Sequence, residues 1–306
     1  MPILERDPWR EQYFKAAPCP GDVIIPTDDP DCCLLFERHR WVYEKLLIAQ
    51  SQGLEAAMHG VMPKHYPVFS KPNINLKGMG VGSLVIHSEL EMRKHNNPDY
   101  MWMPFLTGEH ISSDCAVVDG TLVWIRHATG YATVGGMFDY WKISAAHNSG
   151  LEDFLAAWIK KHMAGYSGMM NFETIGGTII EAHLRFADQW PDLYGAGWVK
   201  ALVGLYVNKT WVFDDGKRVD GFSVPLFGKH GIQFGHPCAK TQDEVRQMEH
   251  VSSLQITFHE AKAAANHAMP PGGFRLAIVN ATTLEAGLAA REKLKENFPA
   301  DQLLPA

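Results

Sequence analysis

No stretch of this 306-residue chain approaches the ~18 uninterrupted apolar residues that a membrane helix needs. Cysteine is scarce: Cys19, Cys32, Cys33, Cys115 and Cys238 are an odd number without CxxC spacing, which argues against both a disulfide framework and a zinc site. The adjacent Cys32 and Cys33 read as two ordinary half-buried thiols rather than a redox device. Positive charge is not in excess either. The formal net charge is -6 and the pI about 6.2, so no global field attracts nucleic acid or an anionic membrane. The opening residues, MPILERDPWR, show no apolar run behind a basic start, so a signal peptide is not expected. A reducing cytoplasm is the expected compartment. Fifteen histidines form no HExxH or HxH pair, and no GxSxG marks a serine hydrolase.

What is present is an ordinary globular composition, 46% hydrophobic and 20% charged. The first 35 residues are rich in Pro and Asp and read as loops around one short strand, Val23 to Ile25. Trp41 to Gln50 holds good helix formers without a breaker, and Gly53 follows as a stop. Tyr66 to Ser70 reads as a strand that runs into Lys71-Pro72 and a glycine-bearing loop, Leu76 to Ser83. Met101 to Phe105 is a second apolar strand. Ile111 to Val118 and Thr121 to Arg126 flank Asp119-Gly120, a strong hairpin signal. Leu151, Leu155, Trp158 and Ile159 recur at helical spacing, predicting a helix over Leu151 to Met163. A second hairpin follows, Met169 to Ile175 and Ile179 to Ala182, around Gly176-Gly177. The tail holds a strand, Arg275 to Val279, and a helix opened by a capping box, Thr282-x-x-Glu285. Strands that come as hairpins with helices between them predict an α+β chain with mostly antiparallel sheets.

The second hairpin carries the sharpest chemistry. Side chains alternate faces along a strand. If its loop has an odd number of residues centred on Gly177, Glu173 stands opposite Glu181 and Asn171 opposite His183, with Arg185 continuing that face. Opposed carboxylates repel unless a cation lies between them, and magnesium, a hard cation held by carboxylates and phosphates, suits the place. A two-residue Gly176-Gly177 turn shifts the parity and puts the two glutamates on opposite faces as plain surface charges. Gly78, Gly80 and Gly82 alternate after a strand and a lysine. Glycines let backbone N–H groups approach phosphate closely, but this is neither the P-loop nor the dinucleotide pattern, and a flexible hairpin tip has the same composition. Tyr131 to Gly136 (YATVGG) reads as a mobile lid or a loop.

In this order the pieces resemble the ATP-grasp superfamily, over roughly Trp41 to Gly204. The resemblance begins with a helix carrying Lys45, then YPVFSKP with its strand-end lysine, then the glycine loop. MPFLTGEHISSDCAVVDGTLVW is similar to the hinge and hairpin of those enzymes, and MNFETIGGTIIEAHLRF to their metal-binding hairpin ending Glu-x-Asn-x-Arg. The fold implied is two α+β subdomains clasping ATP. The resemblance implies that Lys45 and Lys71 meet the phosphates and that the loop carrying Gly78, Gly80, Gly82 and Ser83 covers them. It gives the backbone of Met103, Pro104 and Phe105 to adenine. It gives Glu173, Glu181 and His183 to one or two magnesium ions, and Arg185 to the charge on the transferred phosphoryl group.

Three positions depart from the pattern. Pro104 stands where a hinge glutamate is usual. His110 stands at the ribose-binding glutamate, with Glu109 beside it as a substitute. His183 replaces asparagine. Only about 65 residues precede the strand that ends in Lys71, so the front domain of many relatives is expected to be cut down or missing. The expected organisation is a shortened N-terminal region (1-62), an ATP-grasp domain (63-235, lid-like over 63-127 and metal-binding over 128-235) and a C-terminal α/β extension (236-306). The activity implied is an ATP- and magnesium-dependent ligase that joins a small carboxylic acid to an amine or another nucleophile. A kinase uses the same residues. The alternative is a catalytically degenerate protein that binds nucleotide or a small acid as a sensor or partner subunit. A homodimer is compatible with the sequence, while nucleic acid and membrane are not expected partners.

Overall fold

The computed structural model describes residues 3–5, 7–15, 17–76 and 78–304; Lys77 of the glycine loop lies outside them. A short parallel pair, β1 (Ile3–Leu4) and β2 (Ile25–Pro26), encloses the one-turn helix α1 (Pro8–Glu11). The strand expected at Val23 thus starts at Ile25. Next come α2 (Asp29–Leu35), a 3-10 turn (Arg40–Tyr43) and α3 (Lys45–Ser51). The helix expected over Trp41 to Gln50 is therefore broken at Glu44, which is extended (φ -84, ψ 100). The break is held from outside. Asn73 receives the amides of Lys45 and Leu46, on its backbone and side-chain oxygens, each at 2.9 Å. A residue just past Lys71 thus does for α3 what an N-cap does.

Two antiparallel sheets follow. The small one orders its strands β3 (Ala57–Met58), β6 (Tyr100–Pro104), β4 (Val68–Pro72) and β5 (Leu84–Ile86), with α4 (Glu89–Lys94) after β5. The large one has eight strands. Its first five in the chain are β7 (His110–Val118), β8 (Thr121–Ala132), β9 (Phe138–Ile143), β10 (Gly168–Ile175) and β11 (Thr178–His183), with α5 (Ser149–His162) between β9 and β10. After α6 (Trp198–Asn208) come β12 (Gly221–Gly228), α7 (Ala239–Arg246), β13 (Val251–Ile256), β14 (Phe274–Ala281) and α8 (Leu284–Lys295). The spatial order is β11-β10-β7-β8-β9-β12-β14-β13. The chain is α+β, as its hairpin pattern predicts.

Alternation gives the large sheet two working faces. Cys115, Val117, Ile125, Met170 and Phe172 pack under the apolar stripe Leu151, Leu155, Trp158 and Ile159 of α5. Ala116, Trp124, Met169 and Ala128 face the other way, onto Trp198 and Leu202 of α6 and Trp190. Ile3, Phe14 and Ile25 join this second core, so the N-terminal residues are part of the same body.

The expected boundaries differ from the sheets. The span 63-127 is divided, with β4–β6 in the small sheet and β7 with the start of β8 in the large one. Residues 236-306 supply β13 and β14 to that same large sheet. The cap of α8 lies one residue later than expected, because Thr283 accepts from the Ala286 amide at 3.2 Å while Thr282 bonds His250. Among the described residues no helix is long and apolar enough to cross a membrane.

Candidate active site

The β10–β11 hairpin resolves the two turns the sequence allowed, and takes something from each. Gly176 and Gly177 make a two-residue turn, both at positive φ (56° and 81°), which glycine tolerates. Thr178 pairs with Ile175 and Ile179 with Thr174. The register then slips by one, and Glu181 pairs with Glu173, Ala182 with Phe172 and His183 with Asn171. The extra residue is Ile180, a β-bulge. The even turn alone would separate the glutamates, and the bulge returns them to one face. Ile179 stays in the α5-side core, while Ile180 packs with Met101 and Met103 of the small sheet.

The bulge also creates an acceptor. The Ile180 carbonyl receives Lys71 Nζ at 2.8 Å. Lys71, the strand-end lysine, is buried, 2% exposed. Lys45, held at the start of α3 by Asn73, brings its own Nζ to 3.6 Å from Glu181 Oε1, and Lys71 Nζ lies 3.9 Å from the same oxygen. Burial and the like charge of Lys45 push Lys71 down to about 8, against the pull of Glu181 and Glu173. Two lysines thus share the Glu181 carboxylate at the junction of the two sheets, with Glu173 near enough to act on Lys71.

His110 and His183 complete the cluster. His110 Nε2 lies 3.2 Å from Glu173 Oε2, and His183 Nε2 lies 3.7 Å from Glu181 Oε2. Burial pushes the Glu173 carboxyl up, but the His110 hydrogen bond and the charges of His110, His183 and Arg185 outweigh it and hold it at about 2. His110 packs edge-on to Phe138 and Trp141, with ring centroids at 5.3 and 5.5 Å. Its cross-strand neighbour is Gly130, where a Cβ would stand 2.6 Å from Phe138. Glycine there leaves room for the ring that backs His110.

Arg185 is not free in the cleft, as the sequence suggested it should be. Its Nε and Nη2 each lie 3.0 Å from a different oxygen of Asp29. The same carboxylate meets His183 Nδ1 at 3.0 and 3.1 Å and receives the Tyr43 hydroxyl at 3.2 Å. Burial pushes Asp29 up, yet Arg185 and His183 more than reverse it and hold its carboxyl well below the usual range. Sequence inspection read Asp29 as part of a Pro/Asp loop. The signal was Asp28-Asp29-Pro30-Asp31, since Asp28 caps α2 through the Asp31 amide (2.8 Å) and the turn directs Asp29 inward. Asp114, also missed, is buried and receives Asn171 Nδ2 (2.7 Å), the Tyr194 hydroxyl (2.6 Å) and the Ala187 amide (2.9 and 3.0 Å). Burial pushes Asp114 up to about 6 in spite of those donors. It ties β10 to the segment that follows Arg185.

The remaining expected residues lie around this centre. Gly78, Gly80 and Gly82 all have positive φ (65°, 64° and 80°), and Ser83 closes a turn through its amide to the Gly80 carbonyl at 3.2 Å. Beneath them is a cavity of about 340 Å³, lined in part by Pro72, Met79, Gly82, Tyr100 and Met269. In the hinge, Met103 is buried, Phe105 is 43% exposed, and the Phe105 amide reaches the Pro67 carbonyl at 3.4 Å. Pro104 has no N–H to offer. The hinge donors expected for adenine are thus absent at Pro104 and engaged at Phe105. Glu109 is exposed, and its carbonyl accepts from the Gly176 amide at 3.1 Å. His110 turns to Glu173 rather than standing open for a ribose.

A divalent cation fits the donors in part. Glu173 and Glu181 face each other, and His183 Nε2 is buried without a hydrogen-bond partner. Among the described residues, however, no three His, Cys, Asp or Glu side chains converge closely enough to cage an ion. Phosphate oxygens would have to complete its shell.

Comparison with known proteins agrees on the fold. Neither a known protein family nor a curated protein matches the sequence. Solved structures do. Phosphoribosylamine–glycine ligase from Thermotoga maritima superposes with a TM-score of 0.63 at 15% identity, over 96% of this chain and 87% of that one. L-amino acid ligase from Bacillus licheniformis gives 0.61 at 12% identity, over 90% and 79%. N5-carboxyaminoimidazole synthase from Aspergillus clavatus, in complex with ADP and 5-aminoimidazole ribonucleotide, gives 0.60 at 9% identity, over 90% and 81%. The chain has the ATP-grasp fold.

Proposed function

We propose that the protein is an ATP-dependent ligase, which activates a small carboxylic acid as an acyl phosphate for attack by an amine or another nucleophile. One observation carries this: Lys45, Lys71, Glu173, Glu181 and His183 converge where the two sheets of an ATP-grasp fold meet. A module that only binds has no need of opposed carboxylates. The solved ligases with this fold, two of them named for an amino acid or an amine, support the same class.

In this proposal Lys45 and Lys71 exchange Glu181 for phosphate oxygens. Lys71 is then fully protonated, because the anion replaces a shared carboxylate. Glu181, released from the lysines, and Glu173 would hold a divalent cation, which would supply neutralising charge to the phosphoryl oxygens. The glycine loop from Gly78 to Ser83 covers the phosphates and keeps water out. The acid's carboxylate oxygen takes the γ-phosphoryl group and ADP leaves; the nucleophile then attacks the acyl carbon and phosphate leaves. Positioning and cations carry both steps, with no protein nucleophile. Arg185, beside His183 and held by Asp29 and the Phe186 carbonyl, would lend its charge to the transferred group without leaving those partners.

The test is ADP release in the presence of a divalent cation, pooled small acids and pooled amines, with the product identified by mass. A ligated product supports the proposal. A phosphorylated acid as end product identifies a kinase. Nucleotide binding without ADP release under every combination identifies a binder and overturns it.

A further inference from the structure

Arg275, near the start of β14, is 9% exposed. Its backbone is engaged: the carbonyl accepts from Thr257 Oγ1 at 2.6 Å, and the amide meets Met269 Sδ at 3.2 Å. Its guanidinium is not. Among the described residues nothing accepts a hydrogen bond from it or pairs with it as an ion, and Nε is buried without a partner. Arg10 of α1 is close enough to act on it, as are Asp7 and Asp188. Arg10 takes both of those carboxylates through Nη1, Asp7 at 3.1 Å, and its own Nε is a second buried donor without an acceptor. Burial and the charge of Asp188 push the neighbouring Glu5 up to about 8, so it brings no counter-charge at neutral pH. Burial and Arg10 push Arg275 down to about 10, which leaves it charged there.

Buried charges are normally paired, and an unpaired buried guanidinium is costly because it cannot shed its proton. Two neighbouring arginines with donors left over on both are suited to an oxyanion, which a guanidinium fork binds through two parallel hydrogen bonds. The place also relates to the proposed chemistry. Asp188 follows Arg185 by three residues and is acted on by Arg10, Arg185 and Arg275 together, so the unmet donors share a neighbourhood with Arg185. We infer that Arg275 and Arg10 form an oxyanion-binding subsite, and that the acid substrate carries a second anionic group, carboxylate or phosphate, which is held there while its reacting carboxylate stands at Arg185. The inference rests on the ligase reading for the reacting end of the substrate. The subsite itself rests on the unpaired guanidinium.

The experiment uses the full chain with propionate, succinate and phosphoglycolate as probes. Calorimetry without nucleotide reads the subsite, and ADP release with ATP, a divalent cation and pooled amines reads the reaction. Succinate or phosphoglycolate should bind the parent at least ~10-fold more tightly than propionate, the scale of hydrogen bonds to a charged group. Which of the two binds more tightly tells carboxylate from phosphate. Arg275→Gln should abolish that margin while ATP affinity is kept. Because the guanidinium is unpaired in the free protein, the variant should melt at the parent's temperature or higher, and the tighter dianion should raise the melting temperature of the parent alone. Equal or absent binding of all the probes, a margin that survives in Arg275→Gln, or a clear fall in the variant's melting temperature overturns the inference; if ADP is still released, the ligase reading stands. A margin present in the parent and lost in the variant, with no ADP released from any acid and amine, keeps the subsite and overturns the ligase reading.

Discussion

The carboxylate of Asp29 grips Arg185 through Nε and Nη2, both at 3.0 Å, and thereby joins the start of α2 to the residue two places after β11. Asp29 is buried and Arg185 half-buried, and the same carboxylate also holds His183. Removing Asp29 leaves a half-buried guanidinium bonded only to the Phe186 carbonyl and strips His183 of its partner. Asp29→Ala should therefore cost about 3–5 kcal/mol of unfolding free energy in a urea titration. The pH dependence follows from the sign of the shift. The folded carboxyl is held below its unfolded value, so its stabilisation is present above about pH 4 and is lost as pH falls through the folded value. The parent should weaken progressively below pH 4, and Asp29→Ala should lack that component. Equal acid slopes in the two proteins would show that the pair does not contribute.

Arg185 should matter more to turnover than to ATP binding, since charge reaches the transferred group only during reaction. Arg185→Ala is expected to cut ADP release by ~100-fold, with a much smaller change in ATP affinity. Because the variant also strands Asp29, Arg185→Lys serves as the control: it keeps a charge but loses the fork. If both variants turn over as the parent does, Arg185 is a structural partner of Asp29 and nothing more.

Lys71 titrates at about 8 in the free protein, lowered by burial and Lys45. Bound phosphate restores the protonated form. ATP binding above pH 8 should thus take up close to one proton, visible as a buffer-dependent heat, and affinity should fall about 10-fold between pH 7 and 9. Lys71→Met should bind ATP weakly at every pH and show no such uptake. Its stability should fall by no more than about 1–3 kcal/mol, the cost of an unpaired Ile180 carbonyl.

Asp114 joins Asn171, Tyr194 and the Ala187 amide. Asp114→Asn turns one acceptor oxygen into a donor that faces donors. A loss of about 1–3 kcal/mol is expected by chemical denaturation. Its folded carboxyl lies above the unfolded value, so the parent loses stability as pH rises from about 4 to 6, and the variant should not.

Gly82 tests the loop. Its φ is 80°, and a Cβ there would stand 2.4 Å from the Tyr100 hydroxyl. Gly82→Ala should raise the KM for ATP while costing only about 1–2 kcal/mol of stability, the scale of a left-handed non-glycine residue. An unchanged KM would leave the loop outside the nucleotide site.

Much of this protein is determined by local sequence. Period-3.6 spacing marks α5, and alternation around Gly176-Gly177 marks that hairpin to within a residue, while at Asp119-Gly120 the turn is placed correctly but the second strand runs on to Ala132, six residues past the expected Arg126. The α+β class follows from the same patterns, whereas spacing left the pairing of Glu173 with Glu181 open between two turns and the bulge at Ile180 decided it. Other features depend on partners far along the chain. The break before Lys45 is set by Asn73, and local helix propensity across Glu44 gives no sign of it. The bulge at Ile180 suits packing on Met101 and Met103 and gives Lys71 an acceptor, both from the other sheet. Asp29 lies 156 residues from Arg185, and no period connects them. Spacing determines which residues share a face. What a buried charge meets there is decided only when distant elements close over it, because burying that charge unpaired costs more than the local backbone preferences that packing overrides.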